Sequence, residues 1–248
     1  MARVFLPWEL NHLRKYGFAE IDPVKVDTTP VEYITSHTQF RGLDFYVTPD
    51  CLIPRIETEK IVNLACDHLM HLSEHLEIAD VGCGSGALGI SLAHELEKRG
   101  IHDFRLFLSD ISPAALDITR KNINLLVPQL KNKLIVLQSD LLGRYPKNTK
   151  LNCLLANLPY IPTSRLKTLD SSVKDHEPMS ALDGGPDGTF LINRLLDQAI
   201  PFLSNNPILI FEIDYKHKLT QFHTPPILSA RIEKDDFDHS RYLILQKQ

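Results

Sequence analysis

Glu77-Ile78-Ala79-Asp80-Val81-Gly82-Cys83-Gly84-Ser85-Gly86, followed by the apolar stretch Ala87 to Lys98 and Gly100, reads as a strand, a glycine turn and a helix in succession. Glycines carry no Cβ, so backbone N–H groups and a helix N-terminus can face a ligand directly, as in nucleotide-type binding turns. Gly82-x-Gly84-x-x-Ala87 also satisfies a dinucleotide fingerprint, which leaves NAD and an adenosyl cofactor both open.

The same alternation continues downstream. Phe104 to Ser109 forms a second strand ending at Asp110, and Ser112-Pro113 supplies an N-cap and first-turn proline for a helix over Ala114 to Leu126. Asp110, about two dozen residues after the glycines, is placed to accept both ribose hydroxyls of a nucleoside, and it is equally suited to start a helix. A third strand, Lys133 to Gln138, ends in Ser139-Asp140-Leu141, where an acid and an apolar side chain suit the exocyclic amine and ring of an adenine. The fourth, Leu151 to Ala156, is an unbroken apolar-rich run delivering Asn157-Leu158-Pro159-Tyr160. After a polar, irregular stretch from Ile161 to Glu177, the glycine-dense turn Leu182-Asp183-Gly184-Gly185-Pro186-Asp187-Gly188 precedes a helix over Thr189 to Leu203. Pro207 to Ile213 is the fifth strand, and Ile227 to Ile232 with Arg241 to Leu245 forms a closing antiparallel pair. Strands alternating with helices predict an α/β fold around a mostly parallel sheet with right-handed crossovers.

Upstream, a short helix is expected over Trp8 to Tyr16, stopped by Gly17, and a β-hairpin between Pro30 and Pro54. Thr58 or Glu57 then opens a helix whose apolar positions Ile61, Leu64, Ala65, Leu69 and Leu72 follow the helical period. The expected organisation is a short N-terminal segment (1–29), a β-hairpin (30–54) and one large domain (55–248).

Composition limits the function classes. The 248 residues suffice for one sizeable α/β domain, and the hydrophobic fraction of 43% is ordinary for a globular protein. No apolar stretch approaches membrane-spanning length, and Pro7 and Glu9 interrupt any secretory leader, so a cytoplasmic protein without membrane attachment is expected. A formal charge of −4 argues against a broad basic face for nucleic acid. The four cysteines, Cys51, Cys66, Cys83 and Cys153, lack Cys-x-x-Cys spacing and signal neither zinc nor a disulfide framework. His68, His71 and His75 have a spacing that suits a metal on one helix face. With no cysteine or carboxylate cluster converging on them, a solvated face is the expectation, and no metal site is assigned.

The Asn157 quartet sits where ligands bind in open α/β sheets, at the carboxyl end of a strand. It offers a carboxamide with one acceptor oxygen and two donor hydrogens, the carbonyl of Leu158, a proline without N–H, and a phenol. Such a site can hold a planar NH2 group by both hydrogens while an aromatic face closes the pocket.

Several separated strings coincide with one family. Pro30-Val-Glu-Tyr-Ile, Phe40-Arg-Gly-Leu-Asp-Phe, Leu52-Ile-Pro-Arg-Ile-Glu-Thr-Glu59, the glycine loop, Asp110-Ile-Ser-Pro, Asn157-Leu-Pro-Tyr160, Glu177-Pro178 and Leu182-Asp-Gly-Gly-Pro-Asp-Gly188 resemble the HemK/PrmC-type glutamine N5-methyltransferases that modify peptide chain release factors. The resemblance implies a Rossmann-like class I methyltransferase: a seven-stranded, mostly parallel sheet with one antiparallel strand, preceded by a β-hairpin. It implies S-adenosylmethionine as cofactor, held by Gly82, Cys83, Gly84, Ser85, Gly86, Asp110, Asp140, Leu141 and Asn157. Asn157, Leu158, Pro159 and Tyr160 would be the catalytic and substrate-contacting residues, with Arg55 and Glu57 also on the substrate side as supports of the pocket. The implied reaction is methylation of the Gly-Gly-Gln glutamine of a class I release factor by a monomeric cytoplasmic enzyme without stable nucleic-acid binding.

Two positions depart from the family pattern, which carries proline where Leu158 and Ile56 stand here, and the family's N-terminal helical domain corresponds to only about thirty residues. Competing readings are an adenine N6 or other exocyclic-amine methyltransferase on RNA or DNA, a ribosomal protein glutamine methyltransferase, and a cofactor-binding protein without turnover. The first would need a charged channel and stacking surface that this composition does not advertise.

Overall fold

The computed structural model describes residues 3–73 and 75–247; Met1, Ala2, Glu74 and Gln248, which fall within the expected segment 1–29 and domain 55–248, lie outside the described residues. The chain begins with helix α1 (Pro7–Lys15), opened by Pro7 at a first-turn position, where its missing N–H costs nothing. Helix α2 (Val31–Thr35) follows, then strands β1 (His37–Phe40) and β2 (Leu43–Tyr46). The expected hairpin is therefore confined to His37–Tyr46, turned by Arg41 and Gly42, both at positive φ as a tight two-residue turn demands. Val31 to Thr35, inside the expected hairpin, is helical instead. Val31 and Thr35 are four apart and both buried, and Ser36 in the left-handed region ends the turn.

Helix α3 (Glu59–Leu69), strand β3 (Leu76–Val81), helix α4 (Ala87–Lys98), strand β4 (Phe104–Asp110), helix α5 (Pro113–Leu126) and strand β5 (Leu134–Gln138) form the first half of an alternating α/β unit. The Ser112 hydroxyl caps α5 by accepting the Ala115 N–H. Strand β6 (Leu151–Ala156), the one-turn helix α6 (Ser171–Lys174), helix α7 (Phe190–Ala199) and strands β7 (Leu203–Glu212), β8 (Leu228–Lys234) and β9 (Ser240–Lys247) complete the chain. Helix α3 stops at Leu69, so His71 and His75 lie beyond it and do not share a helix face with His68. His75 instead contacts Asp103, and His68 contacts the carbonyl of Asn206.

The sheet has seven strands in the order β5-β4-β3-β6-β7-β9-β8, parallel except for β9, which runs antiparallel to both neighbours. Both faces are covered, which is why the parallel strands read as unbroken apolar runs. Cys153 and Leu155 of β6 pack on the α3–α4 side with Ile61, Ile78 and Ile90, whereas Leu151, Leu154 and Ala156 pack on the α7 side with Leu195, Leu196 and Phe211. Strand order reverses between β3 and β6, and a crevice opens there above the carboxyl ends of the strands. No helix among the described residues is long and apolar enough to cross a membrane.

Candidate active site

A cavity of about 350 Å³ fills that crevice, a size suited to a nucleoside-sized ligand. Its floor is the glycine turn after β3, its sides are the ends of β4, β5 and β6, and Phe40, Cys51, Leu52 and Pro54 from the N-terminal hairpin region wall it in. Four carboxylates line it, Asp50, Asp80, Asp110 and Asp140, against one guanidinium, Arg194. That imbalance favours a cationic ligand.

The turn holds its shape through its own hydrogen bonds. Gly82 and Cys83 both donate to the Ser109 carbonyl, and Gly86 donates to that of Cys83. Gly82, Gly84 and Gly86 have positive φ, and a Cβ on Gly82 would meet Leu158 Cδ2 at 2.7 Å. The buried Leu158 side chain thus occupies the space over Gly82 where the family pattern has a proline. Ile56, the other departure, is solvent-exposed.

Asp110 accepts the N–H of Gly84 and that of Ser112, each at 2.9 Å, tying the glycine turn to the start of α5. Burial raises its carboxyl above the ordinary aspartate range, opposed by these two bonds. Asp140 pairs with Arg194 of α7 at 2.9 Å, so the pocket's rim at the expected adenine end is an ion pair. Leu141 beside it is buried with φ of 50°.

Asn157, Leu158 and Pro159 line the cavity, as do Gly82, Cys83, Gly84, Ser85, Asp110, Asp140 and Leu141. Gly86 sits behind them as the N-cap of α4. Tyr160, Arg55 and Glu57 do not line the cavity. The Tyr160 hydroxyl donates to Glu212 at 2.9 Å, and burial next to that carboxylate pushes the phenol's pKa up. Arg55 forms an ion pair with Glu177, whose side chain is 1% exposed; this joins the segment before α3 to the loop before the glycine-dense turn. The Glu57 carbonyl accepts the Tyr242 hydroxyl.

The glycine-dense turn is a buttress for the quartet. Ile161 and Asp183 form a bridge, Ile161 donates to the Leu182 carbonyl, and Gly184 donates to that of Ile161. A Cβ on Gly184 would lie 2.7 Å from the Pro159 oxygen, and one on Gly188 would lie 2.2 Å from the Tyr160 oxygen. Only backbone without side chains can press this closely on the loop.

Three important residues escape a reading by local pattern. Asp80, at the end of β3, accepts the Gly89 N–H at 2.8 Å, and burial pushes its carboxyl up to about 7. Glu212 ends β7 and is 1% exposed. Thr58 precedes α3 but makes no capping bond; its hydroxyl points across the site to Glu212. The available signal for the two acids was a lone charge inside an apolar strand, Ile-Ala-Asp80-Val and Ile-Phe-Glu212-Ile.

An open parallel sheet with this strand order, a glycine turn at the switch point and a carboxylate after the second strand defines a class I methyltransferase. Solved structures agree on the fold: a ribosomal protein L11 methylase from Lactobacillus delbrueckii subsp. bulgaricus superposes with a TM-score of 0.52 at 18% identity, covering 82% of this chain and 83% of that one. The hMettl16 catalytic domain in complex with a MAT2A 3'UTR hairpin superposes at 0.60 and 12% identity, covering 84% and 76%. The methyltransferase small domain family model matches residues 61–171.

Sequence relatives narrow the class. The release factor glutamine methyltransferase of Moorella thermoacetica is 42% identical over 184 residues, 74% of this chain and 62% of the relative. Proteins of the same name from Bacillus anthracis and Clostridium botulinum are 32% and 30% identical, covering 83% and 87% of this chain and 70% and 74% of their own lengths. The chain belongs to the release factor glutamine methyltransferase family, whose methyl donor is S-adenosylmethionine, and the expected seven-stranded sheet with one antiparallel strand is the one observed. Against the Moorella thermoacetica relative it spans less than two thirds of the length.

Proposed function

We propose that this chain methylates the side-chain amide nitrogen of a glutamine, in the Gly-Gly-Gln segment of a class I peptide chain release factor, using S-adenosylmethionine. The observation that carries the reading is the state of the two acceptors at the mouth of β6. Among the described residues, neither Asn157 Oδ1 nor the Leu158 carbonyl has a hydrogen-bond partner, while Asn157 Nδ2 donates to Thr58 at 3.1 Å. Two free acceptors beside a cavity lined with carboxylates suit an NH2 group approaching a cationic donor.

The cavity fits the cofactor: Asp80 and Asp110 favour its positive charge, and Gly82 to Ser85 allow close backbone approach. When bound, the cofactor supplies an electrophilic methyl group on cationic sulfur. An amide nitrogen is a weak nucleophile because its lone pair is delocalised into the carbonyl. With one N–H donated to Asn157 Oδ1 and the other to the Leu158 carbonyl, the amide plane would be fixed and its nitrogen turned toward the cavity. Orientation of this kind supplies roughly 7–11 kcal/mol of the barrier, so no strong base is needed before transfer. S-adenosylmethionine held by Gly82 to Ser85 and Asp110 would give its methyl group to this nitrogen, the sulfur keeping the bonding electron pair, and the nitrogen's surplus proton would pass to water. Arg55 and Glu57 support the pocket wall, and Tyr160 holds the loop through Glu212.

We further infer a monomeric, cytoplasmic enzyme without stable nucleic-acid binding, supported by the net charge of −4 and four buried, free cysteines. Incubation with labelled S-adenosylmethionine and either a release factor, a ribosomal protein or transfer RNA tests the reading. Label on the release factor glutamine is the expected result, and label on RNA or ribosomal protein alone would reassign the substrate.

A further inference from the structure

We propose that Thr58 and Glu212 are positioning residues that fix which end of the Asn157 carboxamide faces the substrate. The inference rests on the reading of Asn157 as an acceptor for an amide N–H, and adds how the chain enforces that role. Thr58, Glu212 and Asn157 come from the turn before α3, the end of β7 and the exit of β6, and only the assembled sheet brings them together.

A threonine hydroxyl has one hydrogen to give. Thr58 gives it to Glu212 Oε2 at 2.6 Å inside the protein, where both side chains are nearly inaccessible to solvent. Glu212 is held as an acceptor from its other oxygen too, because the Tyr160 hydroxyl donates to Oε1 at 2.9 Å. With its proton committed, Thr58 can only accept, and Asn157 answers with Nδ2 at 3.1 Å. The carboxamide oxygen is therefore on the opposite side, free to receive a substrate hydrogen. Rotating the carboxamide by half a turn would set Asn157 Oδ1 against Thr58 Oγ1 with no proton between them, which costs the bond and adds repulsion. A free asparagine has no such preference, and the flipped form would present a donor to a donor.

Two variants and two readouts test this. Thr58→Val keeps the shape but removes the hydroxyl; Thr58→Ser keeps the hydroxyl. We expect Thr58→Val to lower kcat by about ten- to a hundredfold, with KM and S-adenosylmethionine affinity changed less than about threefold, and Thr58→Ser to restore kcat to within about threefold. Independently of any substrate, hydrogen exchange of the Asn157 side-chain amide by NMR should show one slowly exchanging Nδ2 proton in the wild type and in Thr58→Ser, and none in Thr58→Val. A Thr58→Val protein with kcat within about twofold of wild type, or with the same Nδ2 protection, overturns the proposal. If the wild type labels no glutamine, the substrate reading fails, and the exchange measurement still decides whether Thr58 orients Asn157.

Discussion

Asp80 carries its proton at a pH where most aspartates have lost theirs. Burial pushes its carboxyl up to about 7, and nearby Asp110 adds to the rise, while the Gly89 N–H opposes it. The folded pKa lies above the unfolded one, so the group's contribution to stability is complete below the unfolded value near 3.8 and is lost as pH rises through about 7. A cationic ligand in the same cavity favours the ionised form. S-adenosylmethionine binding is therefore expected to tighten between pH 5 and 7, by up to about tenfold per pH unit, and to lose this dependence in Asp80→Asn. Calorimetric titration across that range checks it, and a flat wild-type profile contradicts it. For Asn157→Ala we expect cofactor affinity to be retained and turnover to fall by about two orders of magnitude, the scale associated with loss of one preorganised polar group. Steady-state kinetics beside a binding isotherm separates the two effects.

At the scale of elements, the exit of β6 depends on the turn that follows α6. The quartet is pressed between the glycine turn after β3, through Leu158 on Gly82, and the glycine-dense turn, through Gly184 and Gly188. Gly188 has φ of 84° and no room for a side chain, since its nearest neighbours are backbone atoms of Tyr160 and the His217 ring. Gly188→Ala is expected to lower Tm by about 5–10 °C, corresponding to roughly 2–3 kcal/mol in a domain of this size, and to lower kcat because the loop bearing Asn157 shifts. Calorimetry together with turnover of the same preparation tests both effects. A variant with wild-type Tm and kcat would remove the turn from any part in holding the loop. The helix expected over Thr189 to Leu203 ends at Ala199, because Pro201 prevents its continuation and the chain must enter β7.

In the whole molecule, the N-terminal region and the sheet share one ligand site. Phe40, Cys51, Leu52 and Pro54 precede the stretch matched by the methyltransferase family model, yet they wall the cavity. Ligand binding should therefore stabilise the entire fold. At a hundredfold excess over its Kd, S-adenosylmethionine is expected to add about 2.7 kcal/mol and raise Tm by about 5–10 °C in a single transition. Two separated transitions, with only one responding to ligand, would show the hairpin region and the sheet to be independent units. Much of this architecture was legible beforehand. Hydrophobic runs, glycine turns and helix caps are written in neighbouring residues, so Glu77 to Gly86, Asp110 behind its Ser112 cap and the Asn157 quartet could be placed from the chain alone. Amino-acid order by itself settled the alternation of strands and helices, the glycine turn, and the delivery of Asn157 to the end of an apolar strand. Only the tertiary structure decided that Val31 to Thr35 coils rather than extends, that Arg55 pairs with Glu177, and that Thr58 serves Glu212 and Asn157 instead of capping α3. Local propensity carries no information about which distant residue will receive a proton; that choice is made when packing removes water and leaves each buried polar atom with the partners the fold brings to it.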